Sequence, residues 1–120
     1  MLQKPYAEGV DLEPILDQLE EANYLSNARY AESFVRSRIL KGQGEIKIRQ
    51  QLLQRGVTLA MADGAISEAE VNWWDLAEQQ RVKRFGEGYP ESLRDRLKQV
   101  RFLTMRGFPG YIVREIIQGS

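Results

Sequence analysis

Apolar residues recur along this chain at steps of three and four, and the places where that rhythm breaks divide it into short helices. Asp11 is expected to cap a first helix running to Ala22, with Leu12, Ile15, Leu16 and Leu19 on one side and an acidic outer face. Asn23 ends it in this reading. Tyr24 and Leu25 then form an apolar staple, and Ser26 or Asn27 caps a second helix in which Ala31, Phe34, Val35 and Ile39 share a face. Gly42 and Gly44 stop that helix. From Glu45 a third turns Ile48, Leu52 and Leu53 inward and Lys47 and Arg49 toward water, ending where Gly56 can take a left-handed conformation. Thr58 caps a shorter helix containing Leu59, Met61, Ala65 and Ile66.

The cycle then restarts. Asn72 caps a helix through Phe85 with Trp73, Leu76, Ala77 and Gln80 on one face, and Asp75 stands where a capping box needs an acid. Gly86, Gly88 and Pro90 break it. Residues 91 to 105 form the next helix, with Leu93, Leu97, Val100 and either Leu103 or Thr104 in register, and Gly107 terminates it. Pro109 suits the first turn of a last helix whose Ile112, Val113, Ile116 and Ile117 face a core. No window alternates apolar and polar residues for long enough to read as a strand.

The restart is also visible residue by residue. Leu52, Leu53, Arg55, Gly56 and Val57 return 51 positions later as Leu103, Thr104, Arg106, Gly107 and Phe108, and Ile46 and Lys47 are answered by Leu97 and Lys98. The same step backwards meets Met1, Leu2, Lys4, Pro5 and Tyr6, a third basic-Gly/Pro-bulky turn. The fold class expected is therefore all-α: tandem three-helix repeats, helix-turn-helix-like units, forming an elongated, curved array. Residues 1–25 read as the remnant of a first repeat, 26–71 as a second and 72–120 as a third.

Composition narrows the chemistry. The 120 residues include neither cysteine nor histidine, which removes disulfides, thiolate chemistry, Cys/His zinc sites and every histidine-based dyad or triad. No apolar run reaches the roughly 18 residues of a membrane span, and the N-terminus has no secretory pattern, so a cytoplasmic location is expected. Glu13, Asp17, Glu20 and Glu21 have the spacing of any solvated helix face, with no nucleophile and base beside them. An enzyme, a cofactor and a metal site are not expected. The formal net charge is zero, but it alternates in phase with the repeat: about −5 over 1–25, +5 over 26–57, −5 over 58–79 and +5 over 80–106.

Several strings carry a resemblance. Tyr24-Leu25-Ser26-Asn27-Ala28-Arg29-Tyr30-Ala31, Ser37-Arg38, Lys41-Gly42-Gln43-Gly44, Ile48-Arg49-Gln50-Gln51-Leu52, Arg55-Gly56-Val57, Arg101-Phe102-Leu103 and Arg106-Gly107-Phe108 together resemble the bacterial RecX family of regulatory proteins. Ser26 and Asn27 stand where family members usually carry one or two Asp, and Gln43 where they carry Tyr. The resemblance implies three tandem three-helix repeats, of which this chain lacks the first two helices. It also implies a non-enzymatic, negative modulator of the RecA recombinase that binds RecA and its nucleoprotein filament and limits recombination and the SOS response.

On that frame the basic excess of each repeat becomes a candidate RecA- or DNA-binding face. It comprises Arg36, Arg38, Lys41, Lys47, Arg49 and Arg55 in one repeat, and Lys83, Arg84, Arg94, Lys98, Arg101 and Arg106 in the next. Such a stripe suits the acidic surface and the DNA phosphates of a filament groove, with weak nonspecific contact to single- or double-stranded DNA as an alternative partner and no membrane. The competing reading is that these are solvated helix faces, Arg55 and Arg106 simply facing the negative ends of helix dipoles. Operator reading by a helix-turn-helix is disfavoured, because the helix from Thr58 to Glu70 has no basic residue and carries Asp63, Glu68 and Glu70. Aromatics could stack on bases, but Phe34, Phe85 and Phe102 are read as core. Trp73 and Trp74 are adjacent on one helix, so one of them belongs at a repeat junction or on the surface.

Overall fold

The computed structural model describes the backbone of residues 13–118 and the side chains from Asn27 onward. The Met1 to Tyr6 turn, Asp11 and Leu12 lie outside the described residues, and so do the side chains of Glu13, Asp17, Glu20 and Glu21. Six helices make up the described chain: α1 (Glu13–Leu40), α2 (Glu45–Gln54), α3 (Leu59–Glu68), α4 (Trp73–Phe85), α5 (Leu93–Arg106) and α6 (Gly110–Gln118). No described residue is in a strand, and no described helix is long and apolar enough to cross a membrane. The molecule measures 75 × 22 × 19 Å, and its radius of gyration of 20.8 Å far exceeds the roughly 14 Å of a compact chain of this length.

The first two expected helices are one. α1 runs 28 residues without interruption through Asn23, Ser26 and Asn27, so none of these ends or caps a helix. Pro14 falls in its first turn, where proline is tolerated, and no glycine or proline follows until Gly42. Ser and Asn inside a helix cost only a few tenths of a kcal/mol each, too little to stop it without a turn residue.

Thr58 and Asn72 cap their helices as expected, and Ser92, not singled out in the sequence, caps α5 in the same way: each accepts a hydrogen bond from the backbone N–H three residues on, that of Met61, Asp75 and Asp95. Pro109 stands just before α6 rather than in its first turn. α2 and α5 end alike. The N–H groups of Gly56 and Val57 donate to the carbonyls of Leu53 and Leu52, and those of Gly107 and Phe108 to the carbonyls of Thr104 and Leu103. This is the Schellman arrangement, with glycine left-handed at φ 89° and 101° and the flanking apolar pairs, Val57 with Leu52 and Phe108 with Leu103, each buried in one core. The 51-residue sequence repeat is thus a repeat of this one turn.

Each turn reverses the chain so that a short helix folds back on the two before it. Ala31, Phe34, Val35, Ile48, Leu52, Val57, Ala62, Ala65 and Ile66 bury one core between α1, α2 and α3. Ala77, Leu103, Phe108, Ile112, Val113 and Ile117 bury a second between α4, α5 and α6. Trp73 is half-buried and packs against both, while Trp74 is outward with its ring edge-on to Tyr111 at 5.7 Å.

Some expected core positions face water. Leu53, Leu59, Leu93 and Leu97 are exposed, the last two at 70% and 54%. The apolar side of the first two turns of α5 is thus left open to solvent. Within the packed stretch Gln99 is buried instead, and in α3 Ala62 joins Ala65 and Ile66 inside. Phe34 is core as expected, whereas Phe85 and Phe102 are half-buried and meet edge to face at 5.4 Å.

Candidate functional site

Where the two units meet, both glycine-bearing segments are used at once. The first four N–H groups of a helix have no partner inside it, nor do the last four carbonyls. Here the end of α5 supplies what the start of α2 lacks: Gly44 N–H donates to the Arg106 carbonyl at 2.7 Å, and Ile46 N–H to the Gly107 carbonyl at 2.9 Å. The negative end of one helix dipole therefore abuts the positive end of another. The approach is backbone on backbone. A Cβ on Gly44 would overlap Gly107, and one on Gly107 would overlap the backbone N and Cβ of Lys47. Arg106 closes the latch by donating from Nη1 to the Lys41 carbonyl at 3.0 Å. Gln80 of α4 lies directly over Gly42.

This latch gathers cations from distant parts of the chain. Lys41, Gln80, Lys83, Arg84, Phe102 and Arg106 line a groove of about 260 Å³. Four of the six are positively charged, none is acidic, and none of the four cations belongs to an ion pair among the described residues. Phe102 forms an apolar floor, with the guanidinium carbons of Arg84 and Arg106 standing 5.8 and 5.0 Å from its ring centroid. Cation–π contact of this kind holds a guanidinium flat while leaving in-plane N–H groups available. Lys41 comes from the first unit and the other three cations from the second, so neither unit alone makes the groove.

The other basic candidates are placed differently. Arg38 and Arg55 stand 4.6 and 4.8 Å from the Phe34 ring centroid, a pairing of the first unit alone. Lys47 does not extend freely into water; it is half-buried, with its backbone against Gly107. Arg49 donates from Nε to Asp63 at 2.7 Å and lies 3.6 Å from Glu45, tying α2 to α3 with its charge compensated. Arg36 lines a separate groove beside Glu32 and Glu68. Lys98 lines another with Glu91 and Asp95. Arg94 and Arg101 are exposed on α5, four residues before and three after Lys98 and hence on the same helix face.

Arg81, absent from the expected set, is fully buried. Its Nε and Nη2 form a fork with the Glu78 carboxylate at 3.0 and 2.9 Å, Nη1 donates to the Gly88 carbonyl at 2.8 Å, and its guanidinium carbon lies 4.3 Å from the Tyr89 ring centroid. Hydrogen bonding to Glu78 outweighs desolvation and holds this guanidinium even more basic than usual. It is the post around which the α4–α5 loop turns. A signal existed in its spacing: Arg81 is four residues after the core Ala77 and three after Glu78, which puts it on the inner side of α4 with an acid in reach.

Comparison with known proteins supplies the relatives. The family described as "RecX, second three-helix domain" matches residues 26–66. Regulatory protein RecX of Halorhodospira halophila is 45% identical over 84% of this chain and 63% of its own length. That of Pseudomonas putida is 42% identical over 90% of this chain and 69% of its own, and that of Pseudomonas fluorescens 38% over 98% and 76%. The chain belongs to the RecX family. It thus spans between three-fifths and about three-quarters of the length of these RecX relatives. The match over 26–66 covers the helices that bury the first core, including the end of α1, and reaches into the Lys41 to Gly44 segment of the latch.

Proposed function

We propose that this chain is a non-enzymatic, negative regulator of the RecA recombinase, which binds RecA and its single-stranded DNA filament in the cytoplasm and so limits recombination and the SOS response. The units 26–71 and 72–120 are the working repeats in this reading. The observation that carries it is the junction groove, where four cations from two units converge without an acid in a chain of a regulatory family. A surface of that sign is complementary to the acidic protein and phosphate groups of a nucleoprotein filament. Arg94 and Arg101 add positive charge along α5, and Arg38 and Arg55 add it on the first unit. Arg36, Arg49 and Lys98, each beside acids, contribute least.

The test is RecA's hydrolysis of ATP on single-stranded DNA, titrated with this chain, beside its binding to the same DNA without RecA. Inhibition at concentrations too low to coat bare DNA is the expected result. Inhibition that appears only when the strand is coated identifies a nonspecific DNA-binding competitor instead.

A further inference from the structure

We infer that the junction groove seats the phosphodiester backbone of a single nucleic acid strand, held jointly by Lys41 of the first unit and by Lys83 and Arg84 of the second. This rests on the regulatory reading above and specifies which component of a nucleoprotein filament the groove meets. The groove is richer in donors than a protein carboxylate can use: two guanidinium groups, two ammonium groups and the Gln80 amide face about 260 Å³. A carboxylate presents two oxygens in one plane, which a single arginine fork already satisfies. A strand brings successive phosphates, each able to take several donors, and leaves no uncompensated cation behind. The floor is apolar and aromatic, and the half-buried Phe102 under Arg84 and Arg106 suits the sugar edge beside a phosphate rather than an acidic helix face. Arg106 has one Nη committed to the Lys41 carbonyl, so it orients the site, whereas Lys41, Lys83 and Arg84 are exposed and reach the strand.

A labelled oligothymidylate is titrated against the full chain and against Lys41→Gln, Lys83→Gln and Arg84→Gln at several salt concentrations, with helicity and thermal unfolding checked for each. These three side chains lie outside the cores and the latch hydrogen bonds, so the variants keep the parental fold. Each is expected to weaken binding and to make the slope of log affinity against log salt shallower by about 0.7 per lost phosphate contact. Unchanged slopes in folded variants overturn the proposal. A slope change for Lys83 and Arg84 without one for Lys41 also overturns it, since α4 alone then holds the strand. So does polyglutamate bound as tightly and with the same dependence, which assigns the groove to an acidic protein surface. Inhibition of RecA's ATP hydrolysis, followed with the same variants, separates the two levels. Full inhibition by variants that have lost the oligothymidylate removes the groove from the mechanism and leaves the regulatory reading standing. Strand binding through the groove with no effect on RecA removes the regulatory reading and leaves the groove.

Discussion

The turns Arg55-Gly56-Val57 and Arg106-Gly107-Phe108 have the same backbone hydrogen bonds, the same left-handed glycine and the same arginine one residue before it, yet they do different jobs. Around Gly56 there is open space; Gly107 is pressed against Lys47. Arg55 rests on Phe34 of its own unit, and Arg106 reaches out to the Lys41 carbonyl of the other. One turn ends a helix, and the other ends a helix while joining two units. A local motif therefore specifies a conformation, and the neighbour it meets decides whether that conformation also builds a site.

Alanine in place of either glycine separates the two roles. Gly56→Ala meets only the left-handed backbone and costs about 1 kcal/mol. Gly107→Ala adds a collision with packed backbone and costs about 2–5 kcal/mol. Gly44→Ala, whose φ of −85° suits any residue, isolates the collision alone at about 1–3 kcal/mol. Urea unfolding of the three variants measures this, and equal costs for Gly56 and Gly107 would break the comparison.

A smaller effect is expected at the arginines. Arg106→Lys loses the oriented fork that spans the latch and destabilises by about 1–2 kcal/mol. The same change at Arg55 removes only a surface cation–π contact, about 0.5 kcal/mol. Thermal unfolding of the pair distinguishes them.

The smallest difference lies at the starts of the two middle helices. Ser92 caps α5 with its own side chain, so Ser92→Ala costs about 1 kcal/mol by chemical denaturation. Gly44 has no side chain to offer, and α2 is capped from outside by Arg106 and Gly107. Detaching that end of α5, as Gly107→Ala does, is expected to increase amide exchange at Ile46 while leaving Asp95 unchanged.

How far the chain could be read follows the same division. Thr58, Asn72, Gly56 and Gly107 were legible because capping and left-handed turns involve residues within one turn of each other. The 51-residue period was legible for the same reason, since it repeats one local turn. Leu93 and Leu97 misled because a periodic stripe says which residues share a face, and cannot say whether another helix covers it. Ser26 and Asn27 misled because a good cap residue is also a tolerable helix residue, and no glycine or proline forced the break. Among the twelve basic candidates, sequence could not tell Arg49, paired across helices with Asp63, from Lys83 and Arg84, which stay unpaired among the described residues.

By itself the sequence determined the all-α character, the repeated turn, most helix ends and the RecX resemblance, all carried by short-range patterns and residue strings. Only the tertiary structure decided which turn docks, which arginine is buried and which four cations share a groove. Those outcomes depend on atoms up to 65 residues apart, as Arg106 and Lys41 are, and such contacts are settled by what packs without overlap once the helices are formed.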